Sequence, residues 1–234
     1  MQIAFRTDIG RVSTKNQDAI LVDQEKGIFL LADGMGGHNA GEIASSLAVN
    51  TAYEYLKDKI GYLDEDKDIL EAIHTAVLKS HETVKAKGAS EMGTTLVTMI
   101  IKGKKSYICH AGDSRAYLFR DRLQQMTKDH TFAEYSMEHE SMKREEVPDQ
   151  FWNIVTQSVG IDDDLSPDST TVELKDNDIL MLCSDGLNKM LTDNDIFPIL
   201  NKRKMDLDEA ATSLIAEAND KGGKDNISVI LVGL

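Results

Sequence analysis

The sequence predicts an α+β fold, a sandwich layered from β-sheets and α-helices. Three observations carry that reading. Runs rich in Ile, Val, Leu and Thr, broken by Gly, Asp or Asn, recur along the chain and read as strands. Three other stretches repeat apolar residues at helical spacing. Between residues 93 and 126 the strand-like runs follow one another with no room for crossover helices. That excludes a simple β-α alternation and points to antiparallel meanders with helices packed outside.

The chain opens with three strand-like runs, "QIAFRTD", "AILVD" and "GIFLLAD". A helix follows, with Ile43, Ala44, Leu47, Ala48, Ala52, Tyr55 and Leu56 on one face. A second helix gathers Ile69, Leu70, Ile73, Val77, His81 and Val84, where His81 reads as a satisfied core residue. The runs "TTLVTMIIKG", "KSYICHAG" and "RAYLFR" form the meander. From Lys128 to about Pro167 the text changes: "MEHESMKREEVPDQFWN" is charged and poorly periodic, and reads as a mobile flap or small subdomain. The strands "STTVEL" and "DILMLCSD" come next. A third helix then carries Leu207, Ala210, Ala211, Leu214 and Ala218 and stops at Gly222 and Gly223, and "NISVILVGL" closes the chain.

Nothing marks a domain boundary: the 234 residues contain three prolines, no repeat and no low-complexity linker, so residues 1–234 read as a single domain. Forty acidic against 26 basic residues give a net charge of -14, which argues against nucleic acid as the main partner. Two cysteines, Cys109 and Cys183, sit in apolar runs and make neither a disulfide framework nor a metal pair; free thiols in a reducing compartment fit best. The sequence shows no signal peptide and no 18-residue apolar run, so the expectation is a cytoplasmic protein without a membrane span.

The glycine loop in "FLLADGMGGHNAGEIASS" poses the functional question. A dinucleotide fingerprint started at Gly34 needs Gly or Ala at its sixth position, where Asn39 stands. A phosphate loop read from Gly36 to Gly41 needs Lys and then Ser or Thr, where Glu42 and Ile43 stand. Both templates fail. Asp33 suggests another use, because the same device recurs: Asp33-Gly34, Asp113, Asp185-Gly186 and Asp225 each place an aspartate at a turn flanking a strand, and Asp18 precedes another. Converging strand-end carboxylates would hold hard divalent ions such as Mg²⁺ or Mn²⁺. An ion pair can share a bridging hydroxide and clamp a phosphoryl group. An isolated Asp-Gly is most often a turn residue, so the pattern alone leaves convergence open.

The blocks "TDIGRVSTKNQDA", "LLADGMGGHNAGEIAS", "MGTTLVTMII", "CHAGDSRAYLFR", "LCSDGL" and "GGKDNISVILV" occur in an order that resembles bacterial metal-dependent phosphatases of the protein phosphatase 2C family, from about residue 5 to the C-terminus. The resemblance implies a central β-sandwich of two mainly antiparallel sheets flanked on both sides by α-helices, with a metal site in a cleft at one end. It implies hydrolysis of phosphoserine and phosphothreonine in proteins by a metal-bridging hydroxide, without a covalent intermediate. Carried over by position, Asp33 would bridge two Mn²⁺ or Mg²⁺ ions, the Gly34 carbonyl would bind one, and Asp185 and Asp225 would complete the set. Asp18 would hold metal-bound water, and Asp113 would help bind a weaker third ion. The expected partners are Ser/Thr-phosphorylated proteins and a cognate Ser/Thr kinase, and the expected state is a monomer.

Flanking residues carry weaker signals. Thr94 and Thr95 read as ordinary β-branched strand residues, and Arg115 as a partner of local carboxylates. His38 would protonate the leaving alkoxide if it faces the cleft; otherwise it is a polar loop residue. His74, His81, His110, His130 and His139 show no spacing for soft-metal binding. The sequence also departs from the family. Ser13 stands where an arginine usually grips the substrate phosphate; Arg11 and Lys15 lie two residues to either side and would point the same way in an extended segment. Gln157 replaces another common arginine, and Lys189 stands where some relatives carry an acidic residue near the third ion. The leading reading is an active phosphatase with weak affinity for small esters; the rival is a degenerate module that binds phosphoproteins without turnover.

Overall fold

The computed structural model describes residues 1–37, 40–87, 92–140, 142–202 and 206–234. In chain order it contains β1 (Gln2–Asp8), β2 (Asp18–Asp23), β3 (Ile28–Met35), α1 (Ala40–Leu56), α2 (Asp66–Lys87), β4 (Gly93–Thr94), β5 (Leu96–Lys102), β6 (Lys105–Ala111), β7 (Arg115–Phe119) and β8 (Leu123–Gln125). Then follow α3 (Phe132–His139), β9 (Asp168–Glu173), β10 (Ile179–Cys183), α4 (Asp185–Asn188), α5 (Asp193–Lys202), α6 (Leu207–Asp220) and β11 (Ile227–Gly233). Two sheets form, in the orders β1-β11-β10-β7-β8 and β2-β3-β5-β6-β9, with β4 added to β3. Every named strand pair is antiparallel. The layered α+β sandwich is thus the observed architecture.

Strand alternation divides the apolar residues among three cores, which is why the central strands read as continuous apolar runs rather than alternating ones. Along β3, Phe29 and Leu31 enter the space between the sheets, where they meet Val97, Met99, Leu182 and Ile230. Ile28, Leu30 and Ala32 point the other way, onto α1 and α2. In the second sheet Met181, Cys183, Val229 and Leu231 pack against α5 and α6.

The α6 face is the expected one, and its end turns at Gly222 and Gly223, whose N–H groups close onto the carbonyls of Asn219 and Ala218. The α1 face is rotated from expectation: Gly41, Ser45 and Val49 are buried, while Ile43 is 47% exposed. The small residues face inward because α1 lies close upon β3. The pattern also passed over β8 and α5; α5 carries Pro198 in its interior, which breaks the usual helix signal.

The segment 128–167 is folded onto the rim of the sandwich. A bridge between Thr131 and Val155 closes its base, and a second between Thr94 and Val159 joins it to β4. Within it Phe132 meets Phe151 edge-on at 4.7 Å, and Arg144 lies over Trp152 at 4.4 Å.

Candidate active site

Strand direction brings five aspartates to one end of the sandwich. β3 and β6 flank β5, so both end at the same edge, and β2, antiparallel to β3, begins there. Asp18 opens β2 directly across from Asp33. Asp113 follows β6 past the left-handed turn at Gly112, whose φ is 106°. In the facing sheet, β10 ends just before Ser184 and Asp185, and β11 begins just after Asp225 and Asn226. Between them lies a cleft of about 930 Å³ lined by Asp33, Gly34, Asp113, Asp185 and Asp225, together with Gln17, Thr95, Lys189 and Lys224; Asp149 and Asn153 come from the 128–167 segment.

Two of these aspartates, Asp33 and Asp18, are held from behind by hydroxyl groups. The Asp33 N–H donates to Thr95 Oγ1 at 2.9 Å, Thr94 Oγ1 donates to the Asp33 carbonyl at 2.8 Å, and Thr95 shares a 2.7 Å hydrogen bond with Ser114. The two threonines, which propensity accounts for as strand residues, therefore also fix the strand end that carries Asp33. Asp18 accepts a hydrogen bond from Ser184 Oγ at 2.8 Å. Asn226 pins the β1–β2 loop at three points: its Oδ1 accepts from Gln17 N–H at 2.7 Å, and its amide donates to the carbonyls of Ile9 and Lys15 at 3.0 and 2.8 Å. In the sequence this role is signalled only by the place of Asn226 in "GGKDNISVILV", an asparagine following the aspartate at the entry to a strand.

The glycines serve backbone contact. A Cβ on Gly34 would lie 2.1 Å from the Gly41 carbonyl oxygen and 2.6 Å from that of Gln17. The start of α1 therefore rests directly on the end of β3, and only glycine fits.

Gathering carboxylates in a partly dehydrated cleft perturbs them. Burial raises the Asp33 pKa well above its ordinary value, and Asp18, Asp185, Asp113 and Asp225 push it further. Burial, reinforced by Asp185 and Asp225, carries Asp18 to about 7 against the hydrogen bonds from Ser228 and Ser184. Asp113, 3% exposed, rises to about 6 through burial and then Asp185. Asp225 is raised by burial despite hydrogen bonds from the Asn226 N–H and Ser13. Asp18 Oδ1, Asp113 Oδ2 and Asp185 Oδ1 are buried and accept no hydrogen bond. Unsatisfied, mutually repelling oxygens with hard-donor chemistry are what divalent cations require.

One cation enters the cluster from the chain itself. Lys189 Nζ contacts Asp185 Oδ2 and lies 3.4 Å from Asp113 Oδ2. Burial opposes its charge, yet the two carboxylates outweigh that and raise its pKa. Arg115 is spoken for: it makes a forked pair with buried Asp129, Nε to Oδ1 at 2.8 Å and an outer nitrogen to Oδ2 at 2.6 Å, as its sequence context suggested.

The chain matches the model of the family described as protein phosphatase 2C over residues 10–221. The protein belongs to the protein phosphatase 2C family. Among its relatives is the serine/threonine phosphatase stp of Listeria monocytogenes serotype 4b, 36% identical across 99% of this chain and 95% of the relative. The serine/threonine phosphatase structure of S. agalactiae superposes with a TM-score of 0.91 at 33% identity, covering 100% of this chain and 99% of the other. The catalytic domain of the phosphatase PstP in complex with 2 manganese ions superposes at 0.84 and 31% identity, covering 98% and 96%. These matches bear out the family and fold read from the sequence blocks.

Other residues singled out in this protein phosphatase 2C sequence fall variously. Ser13 hydrogen-bonds Asp225, one of the site carboxylates. Arg11 is anchored through its N–H to the Gly223 carbonyl at 2.7 Å, but its side chain is exposed and does not line the cleft. Gln157 accepts from Ser166 N–H at 2.7 Å, away from the cleft lining. His38 lies outside the described residues. His81 is a core residue, accepting from Gly160 N–H at 3.1 Å. His110 and His130, distant in sequence, stack at 4.6 Å, with His130 Nε2 3.2 Å from Asp168. Since His110 Nε2 meets the Lys128 carbonyl at 2.7 Å and His130 Nδ1 accepts from Gly112 N–H at 3.3 Å, the stack steadies the turn that presents Asp113.

Proposed function

We propose that this chain hydrolyses phosphoserine and phosphothreonine in proteins, with two Mn²⁺ or Mg²⁺ ions held by Asp33, the Gly34 carbonyl, Asp185 and Asp225. The observation that carries the site assignment is the convergence of five aspartates at one end of the sandwich, three of which, Asp18, Asp113 and Asp185, carry a buried oxygen with no hydrogen-bond partner. When bound, such ions supply water activation at neutral pH and charge neutralisation of the transferring phosphoryl group.

The residues of the chain do the rest. Asp18, hydrogen-bonded to Ser184, orients water at the back of the site. Among the described cleft residues the one hydroxyl belongs to Thr95, and it is committed to Asp33 and Ser114. With no hydroxyl free to attack and the aspartates assigned to the ions, our reading is that water is the nucleophile: a P–O bond forms from water, the ester P–O bond breaks, and the leaving alkoxide takes a proton, with no covalent intermediate. His38 is our candidate for that proton donor. No arginine lines the cleft among the described residues, leaving Lys224 and Lys189 as its cations, so small esters bind weakly. A protein substrate adds contacts along the 128–167 segment, which we read as the flap that shapes access.

We further propose that the substrates are targets of a cognate Ser/Thr kinase and that the chain acts as a monomer in the cytoplasm. Free, buried Cys109 and Cys183 suit a reducing compartment. Among the described residues no helix is long and apolar enough to cross a membrane. Exposed large apolar residues such as Phe5, Ile43, Tyr62 and Tyr135 are scattered over separate elements, which supports a monomer.

The test is phosphate release from a phosphothreonine peptide with Mn²⁺, with Mg²⁺ and with EDTA, beside Asp33→Asn and Asp225→Asn. Release that needs metal and falls at least about 100-fold in both variants is expected, on the scale of losing a preorganised electrostatic element. No release with either metal, together with retained peptide binding, would leave the phosphoprotein-binding module as the correct reading.

A further inference from the structure

We propose that Lys189 is a built-in cation that occupies the place of a third divalent ion, so that the cleft takes up two ions and no more. This rests on the metal reading above. Lys189 follows α4 by one residue, and its N–H donates to the Asp185 carbonyl at 2.8 Å, which fixes the lysine one helical turn from that aspartate. From there the ammonium touches Asp185 Oδ2 and stands 3.4 Å from Asp113 Oδ2. An ordinary i,i+4 surface pair would end at Asp185. This one spans two aspartates from different sheets, and Asp113, 3% exposed, has no hydrogen bond to that oxygen. The ammonium is the counter-charge of Asp113.

A third divalent ion between Asp113 and Asp185 would need the volume the ammonium fills, and would meet its positive charge at contact range. It would also need several waters around it, since such ions keep most of their hydration. Lysine supplies a single charge without that shell, and it is covalently tethered, so its presence does not depend on ion concentration. The chain therefore neutralises this corner of the cleft by itself and leaves the rest to exchangeable ions.

Titration of Mn²⁺ into the EDTA-stripped full-length protein, with free ion followed by electron paramagnetic resonance, tests this. Wild type is expected to saturate at two ions, and Lys189→Asp to gain a third, weaker class. Lys189→Met guards against misfolding of the first variant: without metal it is expected to melt several degrees below wild type, and Mn²⁺ is expected to raise its melting temperature more than that of wild type. A third class in wild type, or an uptake curve and metal-free melting point unchanged by both substitutions, overturns the proposal. Absence of any Mn²⁺ uptake by wild type would instead overturn the two-ion reading on which it stands.

Discussion

Removing metal should give this protein a pH profile opposite to that of most acidic proteins. Asp18 titrates near 7 in the folded chain against an ordinary value of 3.8. Between those values the folded state holds a proton that the unfolded state has lost. Stability therefore falls as pH rises, the decline ending near pH 7, where the folded carboxyl also ionises. The full shift corresponds to at most about 4 kcal/mol, of which about 3 kcal/mol falls between pH 5 and 7.5. In a domain of this size that is a drop in melting temperature of roughly 6–12 °C. Two histidines work the other way: burial lowers the pKa of both His81 and His110, so they remove stability as pH falls below 6.5.

The informative quantity is thus the difference between wild type and Asp18→Asn, melted in EDTA from pH 5 to 8. The asparagine keeps an oxygen for Ser184 but does not titrate, so its melting temperature should fall less across that range. Mn²⁺ should flatten the wild-type curve, because bound cations favour the ionised carboxylates. Parallel curves for the two proteins in EDTA would refute the claim that Asp18 is held protonated by burial and by its neighbours.

Three further outcomes follow from contacts described above. Gly34→Ala, whose methyl would sit 2.1 Å from the Gly41 carbonyl oxygen, should lose about 2–3 kcal/mol by thermal melt, and an unchanged melt would mean that α1 can move off β3 freely. Arg115→Met strands the 7% exposed Asp129 without its partner and should lose about 3–5 kcal/mol; a loss below about 1 kcal/mol would mean that the pair is solvated. Ser13→Arg should lower KM for a small aryl phosphate several-fold with kcat little changed, since a guanidinium forks onto phosphate. An unaltered KM would show that this position does not limit binding.

Much of this molecule is legible in its sequence because both of its main signals are local. Apolar runs and helical spacing located nine of the strands and the three longest helices. The recurring strand-end aspartates left convergence open until read with the family resemblance; the structure brings those same aspartates to one cleft. What escaped depends on neighbours distant along the chain. The α1 face was misplaced at Ile43 because contact with β3 selects Gly41 and Ser45, a preference that hydrophobicity does not encode. Thr95 read as a strand residue because its bond to Asp33 spans sixty-odd positions. The His110–His130 stack likewise has no short-range spacing to reveal it. Lys189 was visible as a departure from the family pattern, but its reach to Asp113 emerged only once the two sheets faced one another.

The position of β11 bears on how the cleft comes into being. This last strand lies between β1 and β10, so their sheet cannot close until both ends of the chain have met. Asp225, immediately before it, is brought in beside Asp33 and Asp185 by that same closure. The β2-β3-β5-β6 sheet by itself gathers Asp18, Asp33 and Asp113 along one edge, whereas Asp185 and Asp225 arrive only with β10 and β11. The five aspartates are thus divided three and two between the facing sheets, and the full set exists only in the closed sandwich.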